Sequence, residues 1–236
     1  MKLIAIITCL MLAVTTNVSA QSEWEIPESA KQTATPSKKK KDKKEKDKKE
    51  KDEAADKASA PKMKIEQKYA AGTVPLVDGK VEWSKDITVE GCCSDTLYQH
   101  TLDLLTQFVK SEGQTEKSRI AAVNKTEKIV VANCEEELVF SSSTFARDYT
   151  IFRYTIIAQC SDNKVNIRLC RISYRYDMGR PTEATYTAEE WITDEAALNK
   201  KGTNLYRLNG KFRKKTIDRK DSIFALFDVE LKKSAK

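Results

Sequence analysis

The sequence predicts an α+β domain: an antiparallel sheet of about five strands with helices packed on one face, in the order β-α-β-β-β-β-α-α. Two observations carry this. Two alternating runs, 150–160 and 165–176, face each other across a short turn and keep their apolar residues on one side. Apolar stripes at helical spacing stand before and after the strands, ready to cover that side.

In residues 81–89, Val81, Trp83, Ile87 and Val89 share one face of a half-buried strand, and Gly91 ends it. Ser94 is the expected N-cap of a helix running to about Lys110. Leu97, Thr101, Leu102, Leu105, Phe108 and Val109 form its inner stripe, and Gly113 marks its end. Runs 120–123 and 129–140, joined by the polar residues 124–127, read as a hairpin. A second hairpin turns at Asp162-Asn163. Phe152, Tyr154, Ile156, Ala158 and Cys160 meet Val165, Ile167 and Leu169 on its apolar face. Arg153, Gln159, Asn166 and Arg168 occupy the wet face. Thr187-Ala188-Glu189-Glu190 is a capping box. The helix behind it carries Trp191, Ile192, Ala196 and Leu198 and stops near Gly202. A last helix is expected from about Asp218, presenting Ile223, Leu226, Phe227 and Leu231.

Three segments precede or make up this organisation: 1–20, 21–61 and 62–236. Lys2, an uncharged apolar run from Leu3 to Val14, and the small residues of Val18-Ser19-Ala20 form a secretory signal, with cleavage between Ala20 and Gln21. The apolar run is well short of the ~20 residues a membrane-crossing helix needs. Cys9 lies in its middle, not at its end, so a lipid anchor is not expected. No transmembrane segment is expected in the mature chain. Residues 21–61 read as a disordered Lys/Glu-rich linker. Between 38 and 57 they hold 11 lysines and 7 acids without an aromatic or β-branched residue, too little apolar surface to fold. Acids interleave the lysines, which favours a solvated tether, with weak attraction to an anionic surface as the alternative. From residue 62 onward the composition is globular and only mildly basic.

The stretches KYAAGTVPLVDGKVEWSK (68–85), the 94–110 helix with Tyr98, the Asp162-Asn163-Lys164 hairpin leading to Ile172-Ser173-Tyr174, and AEEWITDEAALNKK (188–201) resemble a known family. It comprises exported proteins of Gram-negative gut bacteria, classed as a domain of unknown function with a TBP-like fold. The resemblance runs from about Ile65 to Leu231 and implies a strand-helix-four-strand-helix sheet. It implies no activity. A TBP-like topology does not carry DNA binding with it, because fold and function are separable. No specific nucleic acid is expected as a partner of an exported chain.

The chemistry-bearing residues are few. Cys92, Cys93, Cys134, Cys160 and Cys170 follow the signal, an odd number in an oxidising compartment. The register opposes a Cys160–Cys170 bridge, since the two face opposite sides. Cys92 or Cys93 with Cys134 is conceivable, and free thiols packed as small hydrophobes are the favoured reading. His100 is the only histidine and is expected at the surface. With no C-x-x-C or H-E-x-x-H pattern, no metal or other cofactor is expected. Glu135-Glu136-Glu137 and Asp194-Glu195 are expected to be solvated charge. The candidate anion contact is Lys211, Arg213, Lys214, Lys215, Arg219 and Lys220, a basic stretch with an aromatic neighbour expected to precede the last helix.

The sequence thus predicts an exported, non-catalytic binding module of the periplasm or cell surface. Its partner is an unidentified protein or an anionic envelope component. The alternatives are a binder of anionic polymer or lipid through the linker and residues 211–220, and, third, an envelope enzyme. The export reading is checked by producing the full chain in a Gram-negative host and sequencing the N-terminus of the envelope-fraction protein. The expected first residue is Gln21; a retained Met1 in the cytoplasm would overturn it.

Overall fold

The computed structural model describes residues 65–143 and 146–233; the leader and linker segments lie outside them. Alternation drives the sheet. The strands are β1 (Leu76–Val77), β2 (Lys80–Val81), β3 (Trp83–Thr88), β4 (Arg119–Asn124), β5 (Ile129–Ser142), β6 (Arg147–Ser161), β7 (Lys164–Tyr176) and β8 (Ala184–Thr187). The helices are α1 (Ser94–Phe108), α2 (Ala188–Trp191), α3 (Asp194–Ala197) and α4 (Arg207–Lys233). The main sheet has the antiparallel order β3-β7-β6-β5-β4. β8 pairs with the second half of β7, beyond the segment that β3 takes. β1 and β2 form a separate small hairpin.

The β6–β7 hairpin closes as its register predicts, with Cys160 opposite Val165 and Ile156 opposite Leu169. Asn163 takes a positive φ of 62° in the turn, a conformation that asparagine tolerates better than most residues. The same turn reaches across to the first helix. Asp162 Oδ1 accepts from Ser94 N at 2.8 Å, and Asn163 Oδ1 accepts from Gly91 N at 2.8 Å. Ser94 is therefore the first helical residue, not the N-cap. The N-cap is Cys93, whose side chain makes no capping bond, and a carboxylate from a distant turn satisfies the helix end instead.

The apolar faces of β3, β5, β6 and β7 pack under α1 and α4. Phe152, Tyr174, Phe212 and Phe227 are fully buried there, each contributing roughly 1.5–3 kcal/mol by leaving water. Phe152 and Tyr174 stack at 5.7 Å between centroids, and Phe212 meets Tyr174 edge-on at 5.1 Å. Apolar parity in β7 flips midway. Val165, Ile167 and Leu169 are followed by Ile172 and Tyr174, because Arg171 sits at φ 53° where the β6–β7 register shifts.

Two helical expectations need correction. The segment after the capping box is two single turns, α2 and α3, separated by a break at Ile192. The capping box itself is present at Thr187 and Glu190. The last helix starts at Arg207, not near Asp218, so the basic stretch lies inside it. Its buried positions there are Gly210, Phe212, Arg213, Thr216 and Ile217. The spacing is helical, but two of the five are polar and one is glycine, so hydrophobic periodicity misses the turn. Gly210 is required because a Cβ would lie 2.6 Å from that of Leu205.

Arg213 is fully buried and joins three segments. Its Nε donates to Tyr69 O at 3.0 Å and its Nη1 to Ile192 O at 2.8 Å. Its Nη2 donates to Ala70 O at 2.6 Å, Thr73 Oγ1 at 3.0 Å and Asp194 Oδ1 at 2.7 Å. A buried cation is tolerated only when so fully partnered. Arg213→Met is expected to lower unfolding free energy by about 3–5 kcal/mol, since it strips buried acceptors of their donor. Arg213→Lys recovers only part, lacking the planar fork. Urea unfolding checks this; a loss below about 1 kcal/mol for the Met variant would show the clamp to be dispensable.

Candidate functional site

Among the described residues, helices cover one face of the sheet. On the other, cross-strand neighbours place Arg168 beside Ile157 and Val131, Cys170 beside Thr155 and Asn133, and Ser173 beside Arg153 and Glu135. Between them lies a shallow depression of about 330 Å³. Lys117, Arg119, Arg153 and Arg171 border it with a single carboxylate, Glu135. Asn133, Thr155 and Ser173 supply polar groups, with Thr155 Oγ1 donating to Asn133 Oδ1 at 3.0 Å.

The bulge at Arg171 creates this site: the extra residue stands exposed on the uncovered face. Arg119 is also exposed and donates to the Lys117 carbonyl at 3.2 Å. Glu135 is buried and receives Arg153 Nε at 2.5 Å, Thr115 Oγ1 at 3.0 Å and Lys117 Nζ at 3.5 Å. Burial pushes its carboxyl up, but the bonds from Arg153 and Thr115 outweigh this and hold it below the usual range. A second depression, of about 270 Å³, carries Arg147 and Arg180 against Asp148 and Asp177, so its charges balance. Net positive charge therefore singles out the first.

The basic stretch read from the sequence lies elsewhere, in α4, and most of it is turned to internal partners. Arg213 is the buried clamp. Lys211 Nζ meets Asp148 at 2.7 Å and lies 4.7 Å from the Phe140 ring centre. Arg219 binds Glu136 through two bonds of 2.8 and 2.7 Å. Lys220 pairs with Asp221 and lies over Trp83 at 5.7 Å. Lys214 and Lys215 are the exposed members, the first 5.3 Å from the Tyr69 ring centre.

The acidic run is not solvated as expected. Glu135 and Glu136 are both buried, on opposite faces of β5, while Glu137 is exposed and pairs with Arg147 at 2.7 Å. Gln114 Nε2 donates to Glu136 at 2.9 Å and to Tyr154 OH at 3.2 Å. Strand alternation sends the two acids to different partners. Glu135 and Arg153 are direct cross-strand neighbours, whereas the Arg219 partner of Glu136 is 83 residues away in sequence and left no local signal.

His100 is half-buried rather than a free surface residue, and its Nδ1 has no partner among the described residues. All five described cysteines are free. Cys134, Cys160 and Cys170 are buried, Cys92 is partly so and Cys93 is exposed. Burial pushes the Cys134 thiol up to about 12. The Cys93 thiol is lowered, chiefly by its hydrogen bond with Thr96. Among the described residues no group of three or more metal-ligating side chains occurs, and no helix is long and apolar enough to cross a membrane.

The family described as a domain of unknown function (DUF4468) with TBP-like fold matches residues 83–175. A crystal structure of a DUF4468 family protein from Bacteroides ovatus is 34% identical, with a TM-score of 0.66, over 72% of this chain and 96% of that one. This chain belongs to the DUF4468 family. The fold of this DUF4468 protein is shared with a TBP-like protein from Parabacteroides distasonis, at 21% identity and a TM-score of 0.51, over 69% of this chain and 96% of that one. No curated protein matches. The family match spans β3 to β7, which holds the four cations of the depression and ends short of α4.

The depressed Glu135 carboxyl gives a pH dependence with a defined sign. Its folded pKa lies below its unfolded value, so its stabilisation is present above the unfolded pKa of about 4.3 and fades as pH falls through the folded value. Glu135→Gln is expected to flatten the acid limb of a stability–pH curve measured by urea unfolding. An unchanged limb would mean that other groups set it.

Proposed function

We propose that this DUF4468 protein is an exported, non-catalytic binding module of the periplasm or cell surface that takes an anionic envelope component on the uncovered face of its sheet. The carrying observation is the depression ringed by Lys117, Arg119, Arg153 and Arg171 around one saturated carboxylate. Arg119 and Arg171 are exposed there with no carboxylate ion pair among the described residues, so their charge faces solvent. Binding fits this geometry better than chemistry does. The two buried carboxylates point to opposite faces of β5 and are each held by an arginine, so they do not converge on one substrate atom.

Within residues 211–220 only Lys214 and Lys215 are exposed. Lys211, Arg213, Arg219 and Lys220 neutralise partners within the domain. Lys214 and Lys215, with the linker lysines, form the second candidate surface.

The two surfaces separate experimentally. Binding is measured to phosphatidylglycerol vesicles, for phosphate headgroups, and to poly-L-glutamate, for carboxylates, across salt concentrations. Arg119→Gln/Arg171→Gln is expected to weaken binding about tenfold or more at low salt, at ~1 kcal/mol per cation. Lys214→Gln/Lys215→Gln is expected to leave it within about threefold. The reverse ranking would move the site to α4; salt-insensitive or absent binding to both probes would end the anionic reading.

A further inference from the structure

The uncovered sheet face has a complement within the same chain. Residues 21–30, QSEWEIPESA, hold Glu23, Glu25 and Glu28 and no lysine or arginine, and they include Trp24 and Ile26. Acidity is segregated there: the region that follows carries the excess of lysine. The face offers the matching pattern. Lys117, Arg119, Arg153 and Arg171 border the depression, and on the same side half-buried Val131 and Ile157 pair beyond one end of it while Val139 and Tyr149 pair beyond the other. We propose that the acidic segment 21–30 docks on this face of its own domain, its carboxylates on Arg119 and Arg171 and its apolar residues Trp24 and Ile26 against the Val131–Ile157 pair, occupying the site until an external anion displaces it. This rests on the binding reading above and adds a regulator to it.

Length and composition support the assignment. The roughly 34 residues between Ala30 and Ile65 can span at most about 110 Å, enough to pass around a domain of this size. The lysine-rich part of that spacer is repelled by a cationic face, which leaves the acidic segment as the attracted one. Pro27 lacks an N–H and is poorly suited to extending a sheet by ladder pairing, so contact with the face is favoured over addition to an edge. A tether of this kind supplies an effective concentration on the order of 1 mM, so a contact with Kd of about 0.1 mM keeps the segment docked about 90% of the time.

Trp24 reports the contact directly. Acrylamide quenching is measured on the chain from Gln21 to Lys236, and the Trp83 and Trp191 signals are removed by subtracting Trp24→Phe. Trp24 is expected to be quenched several-fold less than in the free peptide of residues 21–31. Protection should vanish at about 0.5 M salt, where the Debye length is a few ångströms. It should also vanish in Glu23→Gln/Glu25→Gln/Glu28→Gln, which lies outside the folded domain, and in Arg119→Gln/Arg171→Gln. Quenching equal to the free peptide would overturn the proposal. So would protection that grows with protein concentration, which would place the segment on another copy. If Trp24 is unprotected while vesicle or polyglutamate binding still needs Arg119 and Arg171, the docking falls and the binding reading stands. If that dependence is also absent, both fall.

Discussion

The pairing of β6 with β7 sets the rest of the domain. A two-residue turn fixes Cys160 opposite Val165, and from that register Ile156, Ala158, Cys160, Val165, Ile167 and Leu169 fall on one face up to the bulge at Arg171, with Ile157 on the other. A sheet apolar on one face alone must be covered there and left wet on the other. Helices α1 and α4 supply the cover, and the arginines populate what remains. The same turn caps α1 through Asp162, so the central hairpin also anchors the helix that hides its apolar face.

The bulge joins fold and site in one residue. Without the extra residue, Ile172 and Tyr174 would turn outward, and their burial makes that costly. With it, Arg171 is pushed to the uncovered face beside Arg153 and Arg119. Two other arginines face partners inside the domain. Arg213 and Arg219 lie on the covered side and hold α4 to the loop before β1 and to β5, so their charge serves cohesion. The exposed cations across the sheet are left to meet a ligand.

Short-range pattern made most of the fold legible. The two hairpins, the one-sided alternation and the capping box at Thr187 are properties of neighbouring residues. The first half of α4 was hidden because its buried face includes Gly210, Arg213 and Thr216, which read as polar loop until their partners are known. Glu135 and Glu136 misled for the same reason. A run of acids looks solvated, yet each finds an arginine, one across the strand pair and one across the core. The parity break between Leu169 and Ile172 was the sequence signal that could have announced the bulge.

By itself the sequence determined that this chain builds an antiparallel sheet with a single apolar face and helices to cover it, because alternation and helical stripes are local geometric facts. The family resemblance it carried was borne out by the 34% identical DUF4468 structure. Tertiary structure decided which charges are available. Whether a lysine or arginine is a clamp or a contact depends on what lies opposite it after folding, and residues such as Glu136 and Arg219 meet across 83 positions. That is why the basic run of α4 proved largely internal and the cations facing solvent around the depression came together from separate strands.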